Sequence, residues 1–212
     1  MKEKISFDSL CAREYQRNES TKSHQLPIYA TSSFVFDSLD QGIDIFTGQK
    51  EGHSYSRYGN PTIDTVANKL AKLEAYNTGL EAYGFLTSSG MSAISTLMLS
   101  TLKPGDKILT QSNLYGGTTE LFSKILEPLG IEIVFIDMDN TSELEQNVES
   151  DSSIKMIYLE TPANPTMAIV DIQYITDLAK QNNILTAIDN TFCTALVPVS
   201  YTHLTLPTIY SV

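Results

Sequence analysis

From residue 83 onward the sequence alternates short apolar runs with segments of helical periodicity, and this alternation constrains the fold more than any other feature. The apolar runs recur at intervals of about 25 residues, which leaves room for one helix between each pair. Strands joined in this way form a mostly parallel sheet with helices on both faces. We therefore predict an α/β fold with strands at residues 83–86, 107–110, 131–136, 154–159 and 184–188.

Local signals predict where the helices begin. Asn60 before Pro61 is typical of an N-cap followed by proline at the first helical position. The preceding sixty residues lack periodicity, so we expect them to form an extended arm. Helices are expected over residues 61–76, 91–102 and 118–129, after a capping box formed by Ser142 and Glu145, and after an N-cap at Asp171.

The composition excludes several classes of protein. The 212 residues include 14 Lys+Arg against 25 Asp+Glu, a formal charge of −11, whereas a nucleic-acid binder needs a basic face. No apolar run is long enough to span a bilayer and the N-terminus does not resemble a signal peptide, so we expect no membrane partner. Cys11 and Cys193 lie far apart, which predicts free thiols and a cytoplasmic location.

In open parallel sheets, ligands bind beyond the carboxyl ends of the strands. That rule selects the loops at residues 87–91, 113–118, 161–165 and 189–191. In the first loop, Ser89, Gly90 and Met91 join a strand to a helix start, where unpaired N–H groups favour a phosphate or carboxylate. A small-residue loop that only makes a tight turn is the alternative. The glycine patterns of dinucleotide sites and P-loops are absent from the sequence.

Two further loops carry candidate catalytic side chains. Asp189 follows an apolar run, where a carboxylate needs a partner and can keep a heteroaromatic nitrogen protonated. An aspartate that caps a turn with Thr191 is the alternative. Tyr115 precedes Gly116 and Gly117, so a ligand could approach its ring closely, but the tyrosine could equally pack with its hydroxyl in water.

The remaining candidates lie in loop-like segments. Tyr55 and Arg57 combine a phenol with a guanidinium, a pair suited to a phosphate, although a solvated arginine would look the same. Asn164, between two prolines, could hydrogen-bond a ligand or merely shape its turn. His24 and His53 have no recognisable metal-ligand or triad companion, so we treat both as structural and predict no metal site.

Taken in order, five segments resemble the successive motifs of one family, the pyridoxal-phosphate enzymes of cysteine and methionine metabolism. This family includes cystathionine γ-synthase, the cystathionine lyases, methionine γ-lyase and the O-acylhomoserine sulfhydrylases. The resemblance runs from about residue 27 to residue 193. The matching segments are YSRYGNPT at 55–62, SSGMSAI at 88–94, LYGGT at 114–118, ETPANPT at 160–166 and DNTF at 189–192.

The resemblance implies a fold-type I large domain that binds pyridoxal 5'-phosphate, preceded by an arm that reaches a neighbouring subunit. It also implies a homo-oligomer, dimer or tetramer, in the full-length parent. The implied cofactor contacts are the phosphate with Ser89, Gly90 and Met91, the partner subunit's phosphate with Tyr55 and Arg57, the ring face with Tyr115, the ring nitrogen with Asp189 beside Thr191, and the phenolic oxygen with Asn164.

The implied chemistry is stabilisation of a carbanion by the ring, followed by elimination or replacement at the β or γ carbon of a small amino-acid substrate. Tyr115 would assist proton transfer or departure of the leaving group. Methionine γ-lyases commonly carry a cysteine where this chain has Gly117, so the resemblance leans slightly toward synthase, sulfhydrylase or cystathionine-lyase chemistry.

The sequence departs from the family pattern after Asp189. In the family a Schiff-base lysine follows this aspartate and supplies the cofactor linkage and the catalytic base. No lysine follows Lys180 here, so we expect a fragment that lacks the linkage, the C-terminal domain and turnover. The alternative function is a non-catalytic fragment that binds pyridoxal phosphate or associates with a full-length subunit.

The last residues suggest a second origin. Residues 199–212 resemble the in-frame translation of a transposase adapter used in shotgun sequencing libraries, and we expect them to be non-native. The expected domains are therefore an N-terminal arm over residues 1–60, a truncated cofactor-binding domain over 61–198 and an adapter-derived tail over 199–212.

Overall fold

The computed structural model describes residues 5–13, 23–76, 78–193 and 195, together with the backbone of residues 208–211. The chain divides into two compact units, Met1–Leu86 and Thr87–Val212. This division falls later than the expected end of the arm at residue 60, and the functional domain boundaries stay a prediction.

The first unit contains three helices: α1 (Phe7–Arg13), α2 (Leu39–Phe46) and α3 (Pro61–Glu74). The predicted start of α3 is confirmed, because the Asn60 side chain accepts a hydrogen bond from the Thr62 N–H and Pro61 opens the helix. The Asn60 side chain also donates to the Tyr29 carbonyl at 2.9 Å, which ties the preceding segment to the helix start.

The expectation of an extended segment throughout the first sixty residues is wrong at α1 and again at α2. The Ser38 side chain accepts from the Gln41 N–H and caps a helix there. The large side chains Leu39, Ile43 and Phe46 of α2 are exposed. Capping by Ser38, and not packing of these side chains in a core, therefore accounts for this helix.

The second unit alternates helices and strands: α4 (Gly90–Thr101), β1 (Lys107–Gln111), α5 (Gly116–Leu121), β2 (Glu132–Ile136), α6 (Thr141–Ser150), β3 (Ile154–Glu160), α7 (Ile172–Gln181), β4 (Leu185–Asp189) and β5 (Thr208–Ser211). The strands form one parallel sheet in the order β2-β1-β3-β4-β5. The α/β prediction with a mostly parallel sheet is therefore confirmed.

The two faces of the sheet bury separate apolar clusters. On β3, Ile157 and Leu159 belong to a cluster covered by α6 and α7, whereas Met156 and Tyr158 belong to a cluster covered by α4 and α5. Adjacent residues of a strand point to opposite faces, so a strand that is apolar at successive positions must be covered on both sides. The prediction of helices on both faces is confirmed.

Two local predictions are wrong. Residues 83–86 do not form a strand, because no described strand pairs with them, and Tyr83 and Phe85 are largely exposed. The capping box of Ser142 and Glu145 does not form either. The side chain of Asn140 accepts from the Glu143 N–H instead and starts α6 two residues earlier.

Other boundaries agree closely with the sequence pattern. Asp171 caps α7 by accepting from the Tyr174 N–H, as predicted. The predicted helix from residue 118 is α5 continued by a π turn (Phe122–Leu126) and a 3-10 turn (Glu127–Leu129), and it ends at Gly130, whose φ of 85° suits glycine.

The C-terminal prediction lies mostly outside the described residues. Residues 199–207 and 212 fall there, while the backbone of Thr208–Ser211 pairs with β4. The adapter origin of this segment stays a prediction. Among the residues that are described, no helix combines the length and apolarity needed to cross a membrane.

Truncation of a central strand residue tests the core. Leu109 of β1 is fully buried, so we expect Leu109→Ala to lower the free energy of unfolding by about 2–5 kcal/mol through lost burial and a residual cavity. Leu129→Ala, at a half-exposed leucine of the same unit, is the matched control and should cost less than about 1 kcal/mol. Urea unfolding measures both, and equal losses would contradict the packing described.

An ion cluster at the amino edge of the sheet predicts a pH dependence. Lys107 lies 3.0 Å from Glu132 and 3.1 Å from Asp151. Hydrogen bonds from Ser153, and then from Lys107, lower the pKa of Asp151 to about 2. A carboxyl with a depressed pKa stabilises the fold above its unfolded pKa and loses that contribution as the pH falls through its folded value.

We therefore expect the stability difference between wild type and Asp151→Asn to be full at neutral pH and to shrink between about pH 4 and pH 2. Urea unfolding at a series of pH values measures this difference. Ser153→Ala removes the hydroxyl hydrogen bond that lowers the pKa of Asp151 most. This variant should raise the folded-state pKa of Asp151, so the pH range over which the stability difference shrinks should end at a higher pH. A difference that stays constant down to pH 2 would show that the carboxylate is not stabilised in the folded chain.

Candidate active site

The carboxyl ends of β1, β3 and β4 meet the start of α4 around a cleft of about 310 Å³. Parallel strands end at the same edge of a sheet, so loops that are distant in sequence come together there. All the predicted site residues of the second unit line this cleft. The lining consists of Ser89, Gly90, Met91, Ile94, Tyr115, Glu160, Pro162, Asn164, Asp189, Thr191 and Phe192.

The first turn of α4 lines the cleft. Ser89 is the N-cap, and its hydroxyl accepts from the Ser92 N–H at 3.1 Å. The first N–H groups of a helix have no intrahelical acceptor, so those of Gly90 and Met91 remain at the cleft wall. Together with the positive end of the helix dipole they make this part of the cleft suited to an anion.

Asp189, the last residue of β4, lines the same cleft. Its Oδ1 accepts from the Thr191 N–H at 3.1 Å and from the Thr191 hydroxyl at 2.5 Å. Both bonds use the same oxygen, so they orient the carboxylate and leave Oδ2 toward a further partner. The turn-capping interpretation and the ligand-binding interpretation of Asp189 are therefore compatible.

Tyr158 lies beneath Asp189 with its side chain fully buried. Its hydroxyl lies beside Thr118 and Asp189 without forming a hydrogen bond of normal geometry. Burial, followed by the Asp189 charge, raises the pKa of Tyr158 well above its usual value. The phenol consequently stays neutral, and the negative charge beside it belongs to the carboxylates.

Tyr115 lies on the wall of the cleft with its side chain half-exposed. It is the residue before α5, and Gly117 follows in the first turn of that helix. A Cβ at position 117 would lie 2.6 Å from Cε1 of the Tyr115 ring and 3.2 Å from the Met91 sulfur. Gly117 therefore makes room for the tyrosine ring itself, whereas the sequence pattern suggested room for a ligand.

Asn164 lies in the turn after β3. The Thr161–Pro162 and Asn164–Pro165 peptide bonds are both cis. The turn is closed by hydrogen bonds from the Ala163 N–H to the Ala168 carbonyl and from the Met167 N–H to the Ala163 carbonyl. Asn164 thus stands on an internally bonded loop at the wall of the cleft.

Sequence reasoning missed Glu160, the last residue of β3. It is only 4% exposed, and its carboxylate accepts from the Tyr115 N–H at 2.7 Å and from the Asn164 N–H at 2.8 Å. The sequence contained a signal for Glu160, because this residue directly follows the apolar run 154–159 in the same way that Asp189 directly follows the run 184–188. From the sequence, a carboxylate at either position needs a partner because its burial is costly. In the structure Glu160 is buried and Asp189 is partly buried.

Tyr55 and Arg57 belong to the first unit. The Arg57 guanidinium carbon lies 5.2 Å from the centre of the Tyr55 ring, a cation–π contact that holds the two predicted residues together. Both line a separate surface cleft of about 430 Å³ in that unit. Their assignment to a partner subunit's phosphate stays a prediction.

His24 and His53 both have protein partners. His53 Nε2 lies 2.7 Å from Asp64 Oδ2, and His24 also interacts within the described chain. No group of three or more His, Cys, Asp or Glu side chains that could hold a metal ion occurs in the part of the chain that the structure describes.

The donor set of the cleft fits pyridoxal phosphate. Unpaired N–H groups at the start of α4 match its phosphate, and the Asp189 carboxylate matches a protonated ring nitrogen. Tyr115 and Asn164 line the same cleft and provide an aromatic face and a side-chain amide. The lining thus offers groups for both an anion and a cation.

Comparison with known proteins gives the family. The family described as Cys/Met metabolism PLP-dependent enzyme matches residues 8–203. L-methionine gamma-lyase of Fusobacterium nucleatum subsp. polymorphum is 42% identical over 170 residues, which cover 80% of this chain and 41% of that protein. O-succinylhomoserine sulfhydrylase of Pseudomonas aeruginosa is 33% identical over 192 residues, which cover 91% of this chain and 46% of that protein.

Solved structures agree. A Campylobacter jejuni crystal structure, described as an O-acetylhomoserine (thiol)-lyase, carries a pyridoxyl-lysine phosphate and has a TM-score of 0.86 at 31% identity. The match covers 98% of this chain and 49% of that one. The chain thus spans less than half the length of the curated relatives it matches. Its sequence, its sheet and its cleft lead to one conclusion: this chain belongs to the pyridoxal-phosphate-dependent enzymes of cysteine and methionine metabolism.

Proposed function

We propose that the cleft at the carboxyl edge of the sheet is the pyridoxal-phosphate site of an enzyme that forms or cleaves C–S bonds. The parent protein would act on homoserine esters, cystathionine, methionine or a related amino acid by β or γ elimination or replacement. The observation that carries the proposal is that the start of α4, which suits an anion, and the Asp189 carboxylate line the same cleft. Similarity to lyases and sulfhydrylases supports the reaction class.

The roles of the phosphate-binding residues follow from helix geometry. The N–H groups of Gly90 and Met91 would bind the cofactor phosphate, because they lie in the first turn of α4 and have no acceptor within the helix. Ser89 caps the same turn and fixes its orientation. Phosphate binding at this end would set the depth at which the ring lies.

The ring would be held by three side chains. Asp189, oriented by Thr191, would hold a proton on the ring nitrogen through a charge-assisted hydrogen bond. Tyr115 would cover one face of the ring and hold or move a proton at its phenolic oxygen, while Asn164 would donate to the oxygen substituent of the ring. When bound, pyridoxal phosphate supplies the electron sink for the substrate's α-carbon.

The proposal extends to the parent assembly. Tyr55 and Arg57 would contribute a phenol and a guanidinium to the phosphate of a neighbouring subunit, which makes a homo-oligomer of dimer or tetramer size part of the hypothesis. The cytoplasmic location also stays a prediction.

A second candidate function is favoured by one observation, the absence of any lysine after Lys180 in the printed sequence. The 212-residue polypeptide would then bind pyridoxal phosphate without a covalent bond to a site lysine, and it would not turn over substrate. Borohydride reduction followed by intact-mass measurement distinguishes the two functions. A stoichiometric pyridoxyl adduct at one lysine, together with elimination or replacement activity, would refute the non-catalytic function.

Removal of the Asp189 carboxylate tests the proposed site. We expect Asp189→Ala to weaken pyridoxal-phosphate binding by about 10- to 100-fold, because a charge-assisted hydrogen bond is lost. Equilibrium dialysis with absorbance detection measures the dissociation constant.

Asp177→Ala is the matched control for this test. Asp177 is a carboxylate on α7 of the same unit that bonds the exposed Gln173 side chain and does not line the cleft. Its removal should leave binding within about twofold of wild type. Equal dissociation constants for Asp189→Ala and wild type would exclude the cleft as the cofactor site.

A further inference from the structure

Glu160 forms hydrogen bonds to two loops that are far apart in the sequence. Its Oε2 accepts from the Tyr115 N–H, in the loop after β1, at 2.7 Å. Its Oε1 accepts from the Asn164 N–H, in the loop after β3, at 2.8 Å. One carboxylate therefore fixes the backbone of two of the three residues proposed to contact the cofactor ring.

The backbone of Glu160 is itself held in place. Gln111, the last residue of β1, donates from Nε2 to the Glu160 carbonyl at 2.9 Å and accepts from the Glu160 N–H at 3.3 Å. The same Nε2 also donates to the Asn113 carbonyl at 2.8 Å. Both residues are buried, so the carboxylate projects from a part of the sheet that cannot shift freely.

The chemistry of this contact requires two acceptors. A backbone N–H faces each oxygen, so a carboxylate satisfies both, whereas a glutamine amide would present its NH₂ group to one N–H and leave two donors opposed. Because burying a carboxylate is costly, a site that needed only one hydrogen bond would be better served by a neutral side chain. The two N–H groups that face Glu160 therefore favour a carboxylate over an amide at this buried position.

We propose that Glu160 is a positioning residue for the cofactor ring: by binding the Tyr115 and Asn164 N–H groups, it sets the spacing between the side chain that covers the ring face and the one that meets the ring edge. This inference rests on the proposed function. Both carboxylate oxygens are engaged by backbone, so Glu160 acts through its neighbours and not by contact with the ring.

The test compares Glu160→Gln with wild type in the full 212-residue chain, using two probes. Pyridoxine 5'-phosphate has the ring and the phosphate but no aldehyde, so it reports noncovalent binding without reaction at any lysine. Inorganic phosphate reports the α4 end alone. We expect Glu160→Gln to weaken pyridoxine 5'-phosphate at least about tenfold and to alter the induced circular dichroism of the bound ring, while phosphate affinity stays within about twofold.

Thr110→Val is the matched control, because it also removes a buried hydrogen bond at this edge of the sheet. The Thr110 hydroxyl donates to the Tyr158 carbonyl at 2.8 Å and contacts neither loop through that bond. We expect this variant to leave both affinities within about twofold of wild type and the dichroism unchanged. A loss of ring binding in Thr110→Val equal to that in Glu160→Gln would overturn the positioning role.

Amide hydrogen exchange supplies a readout that does not depend on ligand. In wild type the Tyr115 and Asn164 amides should be protected, and in Glu160→Gln at least one should exchange about tenfold faster while Ala187 in β4 stays protected. If the variant does not fold, exchange in the wild type alone tests the contact, since unprotected Tyr115 and Asn164 amides would contradict it.

If wild type fails to bind pyridoxine 5'-phosphate, the proposed function fails. If wild type binds it and Glu160→Gln binds it equally well, only the positioning role fails.

Discussion

The structure depends on one constraint: the central strands of the sheet lie between two apolar clusters, so polar groups at the carboxyl edge must find partners there. β3 ends in Glu160 and β4 ends in Asp189, which lie in register on adjacent strands. Each carboxylate is bonded by groups of the loops that begin at this edge. The contacts that pair these two carboxylates therefore also hold the loops that line the cleft.

None of the described residues that line the cleft carries a cationic side chain. The chain carries a net charge of −11, yet the start of α4 offers an anion the partial positive charge of a helix terminus and unpaired N–H groups. A phosphate bound there would be attracted by local backbone dipoles and not by the overall field of the protein. Burial raises the pKa of Tyr158 and keeps its phenol neutral, which leaves the negative charge beside it with the Asp189 and Glu160 carboxylates.

Periodicity predicted the strands that pair and the helices that cover them, because a strand apolar on both faces requires cover on both faces. It failed at residues 83–86, where an apolar run finds no partner strand among the described residues, since pairing depends on the rest of the sheet. Topology predicted the loops at residues 113–118, 161–165 and 189–191, because each follows a parallel strand. The loop at residues 87–91 was selected because it follows the apolar run 83–86; that run is not a strand, but the loop lines the cleft through the start of α4. Sequence reasoning missed Glu160, because a sequence indicates the cost of burying a carboxylate but does not show which N–H groups point at it and offset that cost.

Tyr115 shows how these constraints combine at one residue. Its backbone N–H is fixed by Glu160, and its ring occupies space that a side chain at Gly117 would fill. The ring is therefore restricted from two sides while half of the side chain stays accessible to a ligand. An aromatic surface held in this way loses little freedom when a planar molecule stacks on it, so less of the binding free energy goes into ordering the site. Gly117 leaves room for the ring and Glu160 holds the backbone N–H, so both determine where Tyr115 lies on the wall of the cleft.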